Sequence, residues 1–173
     1  MFTNLIAELR ATLLGLWLGA ALLFSAVVAP AVFGVLRQFG LANANEIAGS
    51  IVTRTLTVIN LSGFLIGVAM LVATLFWKSA SRSTHGLQLL SLAVLTIATA
   101  VGHWVVAARM LAWRAALVLP IDRIASDDPR RQAFNKLHGY SVTLLATAMI
   151  AALVAIVLGR SGERAASSSS QKT

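Results

Sequence analysis

The sequence predicts an all-α integral membrane protein, a bundle of four transmembrane helices. Two observations predict it. Of 173 residues, 58% are hydrophobic and only 12% charged, which lies outside the composition of soluble globular domains. The charges are also gathered rather than scattered. Between Arg10 and Arg37, Arg54 and Lys78, Arg82 and Arg109, and Lys136 and Arg160 lie uncharged stretches of 26, 23, 26 and 23 residues. About 20 apolar residues at 1.5 Å rise cross roughly 30 Å of hydrocarbon, so each stretch is long enough to span. One transmembrane domain, residues 1–160, therefore takes up nearly the whole chain, with helices at about 11–36, 51–77, 87–117 and 129–159. The Ser-rich tail, 161–173, lacks periodicity and is expected to be disordered.

Helix one carries Gly15 and Gly19, a GxxxG spacing that puts two glycines on one face, and Pro30, which removes a backbone donor and is expected to kink or end the regular helix near Ala29. Small residues at Val28 to Ala31 resemble a signal-peptide cleavage point. The apolar run nevertheless exceeds an h-region of about 7–15 residues, so a retained helix is expected. Residues 37–50 read as a connector. Helix two repeats the spacing with Gly63 and Gly67, which points to tight packing of helices one and two. A polar hairpin loop holding His85 leads to helix three, expected to stop before Pro120 with Trp113 at the membrane interface. Ser126-Asp127-Asp128-Pro129 is a helix start: an Asp cap followed by proline at the first helical position.

The net charge of +8 does not indicate a nucleic-acid surface, because the basic residues flank the spans, where they face head groups and set topology. With no cysteine, disulfides, thiolate metal ligands and a cysteine nucleophile are excluded. The side holding both termini has six Lys and Arg residues and the connector side eight, which leans toward cytoplasmic connectors. The 11 Arg against 3 Lys, with abundant Ala, point to a GC-rich bacterial genome and an inner (plasma) membrane.

Helices alternate direction, so the end of helix one, start of helix two, end of helix three and start of helix four share one side. Arg54, Arg109, Arg114, Asp122, His138, Tyr140 and Ser141 lie there, with Asn60 deeper and His103 deeper still. This distribution predicts a one-sided polar vestibule lined by Arg54, Asn60, His138, Tyr140 and Ser141, with His103 as its floor. His103 lies ten residues before Trp113, about 15 Å below that ring. An ionisable group at that depth is costly and a functional candidate by default; the plainer alternative is a neutral imidazole satisfied by a neighbouring helix. His103 and His138 differ in depth by on the order of 10 Å, which disfavours a bis-histidine haem. Copper is the other metal reading, with His103 and Met149 as ligands of suitable softness. No nucleotide-binding glycine loop, zinc-binding helix or nucleophile elbow is present, so no catalytic residue is assigned.

Three groups of residues form a further pattern: Trp17, Gly19, Phe24, Ala29-Pro30 and Phe33; Pro120 with Arg123; and Phe134, Leu137-His138-Gly139 and Ser141. The pattern resembles the transmembrane protein 205-like family of small four-helix membrane proteins. The resemblance implies that Trp17, Pro30, His138, Gly139 and Ser141 belong to a shared pattern. It implies no biochemical activity, the family's role being uncharacterised beyond an association of its eukaryotic relatives with platinum-drug resistance. Arg54-Thr55 and Leu144 to Thr147 stand where the family pattern has an aromatic residue and an asparagine. The architecture is also distantly similar to the copper-resistance D group.

The expected function is small-solute or metal-linked binding or transport through the vestibule, with no cofactor required. A copper- or haem-binding membrane protein is the second class. The third is an assembly protein that works through its GxxxG faces on a second copy or another membrane protein.

Overall fold

The computed structural model describes residues 2–41, 43–76, 82–116 and 123–170, with side chains described for 8–41, 43–76, 84–116 and 123–159. Four helices are long and apolar enough to cross a membrane: Glu8–Gln38, Ala44–Phe76, Thr84–Ala116 and Pro129–Gly159. No strand forms among the described residues. Large apolar side chains such as Leu16, Leu65, Leu90 and Ile150 are more than half exposed on the outer faces, which only a lipid environment makes favourable for a bundle so apolar all round. This is an integral membrane helical bundle.

Helix one begins at Phe2 and is interrupted by a π-turn, Phe24–Val28, before continuing as Ala29–Gln38. The widened turn falls immediately before Pro30, whose ring crowds the carbonyl four residues back and whose nitrogen donates nothing to it. Pro30 therefore does not end the helix; the strain is absorbed upstream and the helix runs on for two more turns. Ser25 Oγ donates to Ala21 O at 2.8 Å, satisfying a carbonyl beside the irregularity. Gly40, at φ +63°, then closes the helix, its N–H returning to Arg37 O at 3.1 Å.

Helix two starts at Ala44, seven residues before the expected Ile51, so Asn45, Glu46 and Gly49 are helical rather than connector. Helix three is regular by Arg82, which places His85 in its first turns instead of a loop. Its own π-turn, Val101–Ala107, contains His103. Pro120 and Asp122 lie outside the described residues. Helix four starts at Pro129, capped by Asp128, whose Oδ1 accepts from Arg130 N at 2.8 Å. The carboxyl of Asp128 is held below its ordinary value by the Arg130 side chain and then by that backbone N–H. The helix continues to Ser170, so residues 161–170, expected to be disordered, are helical. A formed helix propagates at little cost through good helix formers such as Glu163, Arg164, Ala165 and Ala166.

The helices form a ring in which each packs on its neighbours in sequence and helix four returns to helix one. Helix one packs on helices four and two along Phe2–Leu23 and on helix two along Ala29–Gln38. The core gathers Leu14, Trp17 and Ala21 of helix one and Leu92 and Leu95 of helix three around Ala148, Ala151, Ala152 and Ala155 of helix four.

The expected seam between the two GxxxG motifs is not what joins helices one and two. Gly15 and Gly19 are exposed and a Cβ at either would meet nothing within 4 Å, so this pair faces lipid. Gly63 instead lies under the Trp17 indole, 2.7 Å from where a Cβ would stand, and Trp17 Nε1 donates to Ile59 O at 2.9 Å. Gly67 faces Thr96 of helix three. A repeat in sequence shows that two glycines share a face, but not which way that face points.

Overpacking the helix-four seam should therefore be costly where filling the GxxxG of helix one is not. We expect Ala152→Leu to destabilise the bundle by about 1–3 kcal/mol and Gly15→Leu to stay within about 0.5 kcal/mol of the parent, measured by unfolding in mixed micelles. Similar losses for both would contradict this packing.

Candidate functional site

A cavity of about 720 Å³ opens between helices one, two and four, with helix three behind it. It lies within the range of small-ligand pockets, about 300–1,000 Å³. Its charged and amide groups stand at the connector end: Arg37, Asn45, Glu46, Arg114 and Asn135. One to two turns deeper come His138 and Ser141, three residues apart and so on one face of helix four. Below them the lining is apolar apart from Ser25, from Pro30, Leu56 and Leu145 down to Phe24 and Met149. The thirteen residues from Arg37 back to Phe24 make the cavity about 20 Å deep by helical rise.

The cavity exists because the first helix gives up one of its two partners. Up to Leu23 it lies against both helix four and helix two; beyond the π-turn it lies against helix two. Pro30, Gly34 and Val142 line the cavity and are also exposed on the outside of the bundle, so the cleft is open to the lipid along this side.

Arg114 organises the mouth. Its guanidinium rests over Gly49 of helix two, where any side chain would displace it. It lies 5.4 Å from the centroid of Phe134 on helix four and 3.9 Å from Glu46 Oε1. One cation thus touches helices two and four from its seat on helix three. The Arg37 guanidinium lies 5.9 Å from the centroid of Phe33, over a ring of its own helix. A guanidinium carries five N–H donors, more than these contacts can use, so both groups have donors to spare at the mouth.

Of the residues expected in a vestibule, His138 and Ser141 line this cavity and the other four do not. Arg54 is exposed on the outer surface of helix two, and Tyr140 is 60% exposed on helix four. Asn60 is buried, but in the seam of helices two and three, with its amide 3.2 Å from where a Gly102 Cβ would stand. His103 is not the floor. It sits in the helix-three π-turn edge-on to Trp104, ring centroids 4.7 Å apart, with a buried Nδ1 that has no hydrogen-bond partner among the described residues. Met149 forms part of the floor instead, so the two residues weighed as copper ligands are not around one cavity. Among the described residues no group of three or more His, Cys, Asp or Glu could hold a metal ion.

Sequence reasoning missed Arg37, Asn45, Glu46 and Arg114 as a group. Arg37 and Glu46 fall in the stretch read as connector, and depth along the membrane does not say which way Arg114 faces. One signal was present: Glu46 and Gly49 at a three-residue spacing form a face that can receive a cation. Gln88, 3% exposed with its Nε2 unpartnered among the described residues, was also missed, in a half of the bundle expected to hold little but hydroxyls.

Fold and cavity together define an integral membrane protein with a one-ended internal cleft. The domain family of unknown function DUF4149 matches residues 12–118, helices one to three, and the chain belongs to that family. No curated protein and no solved structure matches the chain. The His138-Gly139 motif of helix four lies beyond the matched region.

Because the Arg114–Glu46 pair is partly exposed and lacks a hydrogen bond, its net worth is small. We expect Glu46→Gln to cost less than about 1 kcal/mol and to respond to salt, and Gly49→Ala, which shifts only the far end of the flexible Arg114 side chain, to cost as little. Thermal unfolding at low and high ionic strength measures both; a larger loss for Glu46→Gln would mean that the ion pair, not the packing, holds Arg114.

Proposed function

We propose that the protein binds, and passes between membrane and connector side, a small solute held in the cleft between helices one, two and four. The observation that carries this reading is the distribution of groups in the cavity: charged and amide groups at one end, an apolar wall below. Such a gradient orients a ligand, and a continuous aqueous pore would need polar lining throughout. His138 and Ser141 are the polar contacts at intermediate depth, and Arg37 and Arg114 the gate to it.

The same reading takes the chain as a transmembrane protein 205-like member of its family, supported by Trp17, Pro30 and Phe33 of helix one and by the Leu137-His138-Gly139 and Ser141 motif. Trp17 fixes helix one to helix two through Ile59, and Pro30, Phe33, His138 and Ser141 line the cleft, which gives these positions one common reason to be a pattern. The predominance of Arg over Lys supports placement in a bacterial inner membrane.

The natural absence of cysteine provides a clean test. In phosphatidylcholine proteoliposomes, Ser141→Cys should react with a small charged methanethiosulfonate reagent added at the connector side and not at the side of the termini. Ala152→Cys, closed within the helix-four seam, should react from neither. Reaction of Ser141→Cys from both sides, or from neither, overturns the one-ended vestibule.

A further inference from the structure

Resting on that reading of the cleft, we propose that its ligand is an anionic lipid of the surrounding bilayer. One acyl chain lies along the apolar wall, and the phosphate sits between Arg37 and Arg114.

Four observations converge on this class. First, the shape is that of a long slot, about 20 Å from Arg37 to Phe24, against roughly 30 Å for the full hydrocarbon thickness. A compact ion or sugar leaves most of such a slot empty; a single extended chain fills it. Second, Pro30, Gly34 and Val142 line the slot and are exposed, so it opens along its side as well as at its mouth, and a lipid can enter there with its second chain left outside.

Third, two of the three hydroxyls that line the slot, those of Ser25 and Thr53, are turned away from it. Ser25 Oγ donates to Ala21 O at 2.8 Å and Thr53 Oγ1 to Gly49 O at 2.7 Å. Each of these two hydrogens is thereby turned into its own helix, which leaves His138 and Ser141 as the polar groups in the middle of the slot, too few for a polyhydroxylated solute. Fourth, the mouth carries two guanidinium groups against one carboxylate, Glu46, and that carboxylate is 3.9 Å from Arg114 without a hydrogen bond. Two planar forks, each with five donors, suit phosphate oxygens, and basic pockets between transmembrane helices recognise anionic head groups on the same principle. Both forks are braced on aromatic rings, Phe33 and Phe134, so less side-chain freedom is lost when a phosphate arrives.

The test uses the full-length protein in nanodiscs containing a trace of lipid with a photoreactive diazirine near the end of one acyl chain. The head group is glycerol (anionic) in one arm and choline (zwitterionic) in the other. Cross-linked peptides are read by mass spectrometry. The anionic probe should label the cavity floor around Phe24 and Met149, and roughly tenfold more than the choline probe. Arg37→Gln, at an exposed position that cannot compromise folding, should cut the anionic labelling several-fold, and Arg37→Gln with Arg114→Gln should bring it to the choline level. Equal labelling by the two lipids, or labelling unchanged in Arg37→Gln, overturns the assignment. Two further arms separate the sources of an anion. If inorganic phosphate in the buffer abolishes the labelling, or a photoreactive fatty acid labels the floor where the anionic lipid does not, the ligand is not a bilayer phospholipid. The two levels of the argument fail separately. Ser141→Cys open from one side together with equal lipid labelling leaves the vestibule standing without its lipid, whereas an unreactive Ser141→Cys removes both.

Discussion

Helices one, three and four meet on a row of small residues, and the rest of the structure follows from that contact. Ala148, Ala151, Ala152 and Ala155 of helix four are buried against Leu14, Leu92 and Leu95, and Gly159 extends the row to a place where the Arg10 guanidinium lies against the backbone. Lipid tails are as apolar as leucine, so burying leucine gives helices no reason to associate in a bilayer; close backbone approach and dense van der Waals contact do. The alanine row supplies that at the end of the bundle bearing the termini. Toward the connectors the same face of helix four carries Leu145, Ser141, His138 and Phe134, and the same closeness is no longer possible. Helix one meets this change with its π-turn and Pro30 and parts from helix four while keeping its contact with helix two. The cleft is what remains between them.

The chemistry of the cleft is the chemistry of its mouth. Glu46 and Gly49 on helix two, Arg114 on helix three and Phe134 on helix four belong to three different helices, and one guanidinium touches all of them. Arg114 is 18% exposed, neither sealed in hydrocarbon nor loose in water. In that position a cation keeps most of its hydration cost low while its field is less screened than at an open surface. His103, the group that depth alone marks as costly, plays no part in this arrangement; its imidazole packs beside Trp104, which in turn meets Phe64 edge-on at 4.8 Å.

Depth was legible in the sequence and azimuth was not. Gaps between charged residues place four spans and the end of the bundle at which polar groups collect. Hydropathy along a membrane helix has almost no periodic component, because the outer face is as apolar as the core, and so it does not tell Arg54, which faces outward, from Arg114, which faces the cleft. The same blindness misassigned Gly15 and Gly19. Asp128-Pro129 could be read because a cap is a local interaction between neighbours in sequence. The start of helix two could not: an Asn- and Glu-bearing turn looks like connector until Gly49 and Arg114 are seen to face each other. His138 and Ser141 were legible for a different reason, a motif at one-turn spacing whose polarity interrupts an otherwise apolar run.

The parting of helices one and four is the claim on which the cleft, its mouth and its ligand all depend. It is tested most directly by distances between spin labels in nanodiscs, using one exposed pair at the terminal end, Leu9 with Val157, and one at the connector end, Val35 with Lys136. The account predicts a clearly longer separation for the connector pair. Equal separations, or a shorter one at the connectors, would mean that the two helices stay together along their length and that the cavity between them does not exist.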